Sequence, residues 1–237
     1  MSRQDKIIVA LDTADMRFAK KIIRLLKDSI KIFKVGKEFF TAHGPKAVQV
    51  VKEAGAEVFL DLKYHDIPNT VAQAARAAVR LGVFMFNVHI PGGLQMMQEA
   101  CVAVADEARK ANVIAPKLIG VTLLTSLNQD DVSKQVGLAQ SINDVVLRYA
   151  ELAQKAGLDG VVASAREIAL IRSKLGPNFL IVTPGIRPSW AERGDQERVM
   201  TPKEALALGA NYLVIGRPIT EAKDPKQAAE RVFQELY

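Results

Sequence analysis

The sequence from residue 59 to residue 70 is FLDLKYHDIPNT, which starts apolar and becomes strongly polar. Side chains of a β-strand alternate between its two faces, so Asp61 and Lys63 are predicted to point to the same side. A third charge follows at Asp66. Charges at strand ends are also common on protein surfaces, so this stretch alone fits a solvated ion pair as well as a functional site.

Apolar runs alternate with helical patterns on both sides of this stretch, along the whole chain. The runs are continuous, as is typical of parallel strands that are buried on both faces. One strand begins at Val58 and enters the central stretch. The other seven are predicted at residues 7–12, 32–39, 85–90, 117–125, 160–164, 180–187 and 212–219. Eight strands therefore alternate with eight helical segments, without a linker between them.

This alternation predicts a single (β/α)₈ TIM barrel that spans residues 1–237. A barrel of this kind typically has about 250 residues, and this chain has 237, of which 49% are hydrophobic. A doubly wound open sheet is the alternative. It is disfavoured because ALDTAD follows the first strand, where a nucleotide-binding sheet has a glycine-rich fingerprint.

Composition narrows the cellular context and the partners. No apolar run approaches the roughly 20 residues that a membrane span needs, and the N-terminus lacks a signal region. The one cysteine, Cys101, is typical of a reducing compartment, so we expect a cytoplasmic protein without a membrane partner. The formal charge is +6, but the basic residues are dispersed among 26 acidic ones. We therefore expect no nucleic acid partner.

Active sites of barrels lie at the C-terminal ends of the strands. Charged and hydroxyl side chains are concentrated at these ends, which favours an enzyme. They are Asp12, Lys34 or Lys37, Asp61, Lys63, Thr125, Arg187 and Arg217. The three histidines lack metal-ligand spacing, so we expect no metal. The sequence also lacks a cofactor motif, so we expect no organic cofactor.

Two glycine–arginine pairs indicate a phosphate site. Arg187 ends the seventh predicted strand in the tripeptide GIR, and Gly216-Arg217 lies towards the end of the eighth. Barrels often bind phosphate with these two loops, where glycine admits the ligand and arginine donates a forked pair of hydrogen bonds. A turn glycine beside a surface arginine is the alternative at either place. The long polar loop at residues 188–200 is typical of a lid and contains Gln196.

The segment DLKYHDIPNT, together with VALD, FKVG, VTPGIRP and VIGRPIT, closely resembles the orotidine 5′-monophosphate decarboxylase family. The resemblance extends over essentially the whole chain. It implies a cofactor-free homodimer with shared active sites. It also implies decarboxylation of orotidine 5′-monophosphate (OMP) to uridine 5′-monophosphate (UMP), the last step of new pyrimidine synthesis.

The resemblance also implies roles for individual residues. Lys63 would donate the proton to C6 of the pyrimidine, beside Asp61, with Lys34 and Asp66 completing an alternating charged array. Asp66, Ile67 and Thr70 would reach into the partner's site. The substrate-binding residues implied are Asp12 for the ribose, Thr125 and Gln196 for the pyrimidine, and Arg187, Gly216 and Arg217 for the phosphate.

Two other functions stay open. The first is a related barrel with the same Asp-x-Lys-x-x-Asp motif that acts on a sugar phosphate through a metal-bound enediolate. The second is a barrel that only binds nucleotides or nucleic acid, which the basic charge would suit.

Overall fold

The computed structural model describes residues 4–191 and 200–236. Eight parallel strands form a closed barrel in which each strand pairs with its neighbours in the sequence and β1 pairs with β8. The strands are β1 Ile7–Leu11, β2 Ile32–Gly36, β3 Glu57–Tyr64, β4 Met85–His89, β5 Lys117–Val121, β6 Gly160–Val162, β7 Leu180–Thr183 and β8 Tyr212–Ile215. The predicted (β/α)₈ TIM barrel is confirmed.

Helices surround the strands on the outside. They are α1 Met16–Leu26, α2 Lys37–His43, α3 Lys46–Glu53, α4 Pro68–Leu81, α5 Gly93–Ala111, α6 Ile142–Ala156, α7 Ile168–Leu175, α8 Pro202–Ala207, α9 Arg217–Thr220 and α10 Pro225–Gln234. A capping box begins α8: the Thr201 hydroxyl accepts from the Glu204 backbone N–H, and the Glu204 carboxylate accepts from the Thr201 backbone N–H. Within the described ranges, no helix has the length and apolar character that crossing a bilayer requires.

The core has two layers because strand side chains alternate between the barrel interior and the helices. Ile32 of β2, Phe59 of β3 and Met85 of β4 belong to the interior cluster. Their neighbours Phe33, Leu60 and Phe86 pack against the helices instead. Alternation from the interior residues places Lys34, Asp61 and Asn87 on the inner face, towards the C-terminal end of the barrel.

Several predicted strands are too long at their C-terminal ends. The predicted strand at 32–39 was wrong beyond Gly36, because Lys37 begins α2. The predicted strand at 212–219 was wrong beyond Ile215, because α9 follows Gly216. Phe39 and Ile219 are fully buried, but in helices, so the apolar pattern continues although the strand has ended. The strands predicted at 117–125 and 180–187 likewise end early, at Val121 and Thr183.

Candidate active site

A cavity of about 160 Å³ opens among the C-terminal ends of the strands. Its polar wall contains Lys34, Asp61, Lys63 and Thr125. The rest of the lining is apolar and consists of Phe59, Val121, Leu123, Leu124, Val162, Pro184 and Val214. The cavity therefore joins an apolar surface, which suits a flat ring, to a strongly charged wall.

The charged wall is a chain of alternating signs. The Asp61 carboxylate lies between two ammonium groups, with Oδ1 2.6 Å from Lys63 Nζ and Oδ2 3.4 Å from Lys34 Nζ. Lys34 Nζ also lies 2.7 Å from Asp12 Oδ1. The side chains of Lys34 and Asp61 are only 11% and 12% exposed, whereas that of Asp12 is 58% exposed. The inner pair is thus shielded from water, and its charges act strongly on any ligand beside it.

The array fixes the charge states of its inner members. Burial favours the neutral form of Lys34, but the Asp61 and Asp12 carboxylates outweigh it and raise the pKa of Lys34. Burial likewise opposes the charge on Asp61. Lys34, Lys63 and a hydrogen bond from Asn87 outweigh that effect and lower the pKa of Asp61. Both groups are therefore ionised at neutral pH.

An irregularity in β3 carries Lys63 into this array. An advance of four residues along β3, from Leu60 to Tyr64, matches an advance of only two along β4, from Phe86 to Val88. Lys63 lies within this bulge and has a φ of 54°. Left-handed backbone is uncommon for a residue with a side chain and is often found where function demands it. Asp61 and Lys63 are in contact, as the sequence predicts, but within a bulge and not through the alternation of a regular strand.

Asn87 is fully buried on β4 and was not predicted from the sequence as a site residue. Its Nδ2 donates to Asp61 Oδ1 at 2.7 Å, and its Oδ1 accepts from the backbone N–H of Lys63 at 2.8 Å. The available signal was an amide in the middle of the apolar run MFNVHI. Buried polar groups are nearly always hydrogen-bonded, so this amide indicated a polar partner inside the barrel.

His89 follows Asn87 on the inner face of β4, and its ring centroid is 5.6 Å from that of His65. Burial, His65 and the nearby lysines Lys63 and Lys37 lower the pKa of His89 to about 4, against a smaller opposing effect of Asp61. The imidazole is therefore neutral at physiological pH.

Two of the predicted phosphate residues share a cavity of their own. Arg187 and Arg217 together line a second cavity of about 430 Å³, with Trp190 in its wall. A side chain at Gly216 would come within 3.8 Å of Asp12, so Gly216 approaches the charged array with its backbone. The Trp190 ring is held by the guanidinium of Arg231, 4.2 Å from its centroid.

Comparison with known proteins decides the family. The model of the orotidine 5′-phosphate decarboxylase / HUMPS family matches residues 5–232. The chain belongs to this family. An orotidine 5′-phosphate decarboxylase from Moorella thermoacetica is 57% identical over 236 residues, which cover 100% of this chain and 94% of that relative. A decarboxylase of the same name from Syntrophotalea carbinolica is 50% identical and covers 98% of this chain.

Solved structures that resemble this chain bear the same protein name as these relatives. The crystal structure of orotidine 5′-phosphate decarboxylase from Lactobacillus acidophilus has a TM-score of 0.85 and 37% identity, covering 98% of this chain and 99% of that one. The corresponding structure from Pyrococcus horikoshii OT3 has a TM-score of 0.74 and 29% identity, covering 97% and 98% of the two chains. The predicted family and the predicted carboxy-lyase class are confirmed.

Not every residue implied by the family resemblance reaches the array in this single chain. Asp66 is exposed just before α4, and its carboxylate accepts a hydrogen bond from the backbone N–H of Ile67 at 2.7 Å. Ile67 is 66% exposed, and Thr70 is also exposed. Gln196 lies outside the described residues. Across residues 4–191 and 200–236, no three His, Cys, Asp or Glu side chains are grouped as metal ligands.

Proposed function

We propose that this protein decarboxylates OMP to UMP without a metal or organic cofactor, in pyrimidine biosynthesis. The observation that carries the proposal is the buried Lys34–Asp61–Lys63 array at the wall of an otherwise apolar cavity. The choice of reaction comes from the family and from the name that the similar proteins bear. The array supplies the charges that this reaction needs. The single cysteine, Cys101, supports the expected cytoplasmic location.

In the proposed reaction the bond between C6 and the carboxylate breaks, CO₂ leaves, and the electron pair stays on C6. Lys63 as an ammonium stabilises this developing charge and then donates a proton to C6. The Lys63 ammonium is held 2.6 Å from Asp61, so it is already oriented before the substrate arrives. Preorganised charge of this kind requires little rearrangement during the reaction.

Asp61 acts on the substrate before the bond breaks. As an ionised group it repels the substrate carboxylate, and the repulsion disappears when neutral CO₂ leaves. Two like charges about 4 Å apart repel by roughly 4 kcal/mol at an effective dielectric constant near 20. This corresponds to about a thousandfold in rate if it is fully released. Stabilisation of the carbanion and binding energy from the phosphate supply the remaining acceleration.

The substrate groups are assigned to the surrounding residues. Asp12 binds the ribose, beside the backbone of Gly216. Thr125 binds the pyrimidine from the wall of the charged cavity, together with Gln196. Arg187 and Arg217 bind the phosphate at the second cavity, with Gly216 admitting it. Arginine suits this role because its planar fork matches phosphate oxygens.

A homodimer with shared active sites completes the proposal. Asp66, Ile67 and Thr70 lie at the start of α4, exposed and outside the lining of the charged cavity. The family resemblance, which assigns this segment to the partner's site, carries this part of the proposal. In a two-fold dimer the same segment of each subunit enters the other's site. Asp66 of one subunit then extends the charged array of its partner.

The rival reaction is metal-dependent chemistry on a sugar phosphate. A second reaction is considered because the description of the matched family joins orotidine 5′-phosphate decarboxylase to a second name, HUMPS. The residues assigned to the base, Thr125 and Gln196, favour a nucleotide. The deciding experiment follows the loss of absorbance as purified protein converts OMP to UMP, with a chelator and with added Mg²⁺. Equal turnover under both conditions supports the proposal. Activity that requires Mg²⁺, or an absence of turnover while OMP still binds, contradicts it.

A further inference from the structure

Asn87 is a buried amide at the centre of the charged array. It lies on the inner face of β4, two residues after the interior Met85, and it is 0% exposed. Burying an amide costs free energy unless its polar atoms are hydrogen-bonded, so the partners of Asn87 explain why it is tolerated there. The function proposed above assigns no role to this residue.

The hydrogen bonds of Asn87 define its orientation. The backbone N–H of Lys63 can only donate, so the atom that faces it at 2.8 Å is the carbonyl oxygen Oδ1. The NH₂ group must then face Asp61, where it donates to Oδ1 at 2.7 Å. Since Asp61 is ionised, this bond is charge-assisted and stronger than a neutral one. The orientation therefore satisfies both partners at once.

The bond to Lys63 supports an unfavourable backbone. A side chain at positive φ costs of order 1 kcal/mol or more, and Lys63 has a φ of 54°. The bulge also interrupts the regular ladder between β3 and β4, so the N–H of Lys63 bonds to a side chain instead. Asn87 thus stabilises the bulged backbone at Lys63, whose side chain bears the ammonium group.

The bond to Asp61 fixes the rotation of the carboxylate. Oδ1 receives both the Lys63 ammonium and the Asn87 amide, and Oδ2 is left facing Lys34 at 3.4 Å. Turning the carboxylate would break these contacts together. The orientation of the Asp61 carboxylate relative to the cavity therefore depends in part on Asn87.

We infer that Asn87 is a positioning residue for the decarboxylation: it orients Asp61 through its NH₂ group and the Lys63 backbone through its carbonyl oxygen. The inference rests on the proposed function. It predicts that loss of the amide slows the chemical step while binding of the product UMP, whose contacts lie elsewhere, is preserved.

Two variants separate the two bonds. Asn87→Ala removes both. Asn87→Asp keeps an acceptor for the Lys63 N–H but places a second carboxylate against Asp61. We expect kcat to fall about 10- to 100-fold in each, the loss corresponding to one charge-assisted hydrogen bond. The dissociation constant of UMP should stay within about threefold. Amide hydrogen exchange at Lys63 should be faster in Asn87→Ala and unchanged in Asn87→Asp.

Arg172→Met is the matched control for lost stability. Arg172 donates hydrogen bonds to the carbonyl oxygens of Gly176, Phe179 and Gly209 and to Asn211 Oδ1. These contacts lie near the N-terminal ends of β7 and β8, away from the charged cavity. Loss of Arg172 should lower Tm without changing kcat below the melting transition. If Arg172→Met with a comparable drop in Tm loses kcat equally, Asn87 is merely structural.

Two further outcomes overturn the inference. One is a kcat within threefold of wild type in the Asn87→Asp protein. This measurement tests the role of Asn87 even if Asn87→Ala does not fold. The other is a loss of UMP affinity as large as the loss of kcat. Failure of the wild-type protein to convert OMP is a different result, because it refutes the proposed function rather than the role of Asn87.

Discussion

Replacing Asp61 by Asn tests how the array uses charge. The substitution keeps the shape of the side chain and removes one negative charge between Lys63 Nζ, 2.6 Å away, and Lys34 Nζ, 3.4 Å away. Lys34 retains Asp12 as a partner at 2.7 Å, and an amide oxygen can still accept from Asn87. The fold should therefore persist, while the repulsion of the substrate carboxylate is lost.

The magnitude follows from Coulomb's law. A substrate carboxylate about 4 Å from Asp61 is repelled by roughly 4 kcal/mol at an effective dielectric constant near 20. UMP lacks that carboxylate and feels no such repulsion. Asp61→Asn should therefore improve binding of OMP relative to UMP by up to about a thousandfold and lower kcat by up to the same factor. Tighter substrate binding together with slower chemistry is the signature of lost ground-state repulsion.

The assay measures the dissociation constants of OMP and UMP and the rate of a single turnover. Asp159→Asn is the control, because Asp159 forms an ion pair with Lys117 at 2.8 Å at the other end of the barrel. That variant should leave the ratio of the two dissociation constants unchanged. If Asp61→Asn also leaves the ratio unchanged, or keeps the wild-type rate, Asp61 does not act by repelling the substrate.

Three further predictions test other parts of the site. Arg217→Ala should weaken OMP binding by about 1.5–3 kcal/mol and leave orotidine, which lacks the phosphate, almost unaffected; equal losses in the two substrates' kcat/KM would refute a phosphate contact. Lys63→Ala and Asp66→Ala subunits, each nearly inactive, should regain roughly one quarter of wild-type activity when refolded as an equal mixture, because half the dimers are mixed and half their sites intact. An inactive mixture in which native mass spectrometry finds mixed dimers would contradict sharing. His89 has a pKa of about 4 in the fold, below its ordinary value of 6.5, so the unfolded chain gains the proton first and stability is lost as pH falls between these values. His89→Asn should flatten the decline of Tm in that range, and an unchanged slope would exclude His89 as its source.

The barrel was predictable from the sequence because its strands are buried on both faces. Continuous apolar runs between helical patterns have few other solutions, and the C-terminal strand ends then collect the polar residues. The ends of the strands were less predictable. Phe39 and Ile219 continue the apolar pattern from helices, so burial persists where the strand hydrogen bonds have stopped.

The internal arrangement of the site depends on contacts that sequence spacing does not encode. The left-handed backbone of Lys63 arises from a register shift between two strands, which involves residues more than twenty positions apart. Asn87 meets Asp61 only because β3 and β4 are neighbours in the barrel. The roles of Asp66 and Ile67 belong to a second subunit and stay a prediction.

The most direct measurement of the central claim compares Lys63→Ala with the wild type. OMP turnover is followed by absorbance in the presence of a chelator, and UMP binding is measured on the same samples by calorimetry. Lys63 should be indispensable as the proton donor, so the variant should lose essentially all turnover while it remains folded and binds UMP. A folded Lys63→Ala protein that kept even about a tenth of the wild-type rate, a loss of only about 1.4 kcal/mol, would contradict the proposed mechanism.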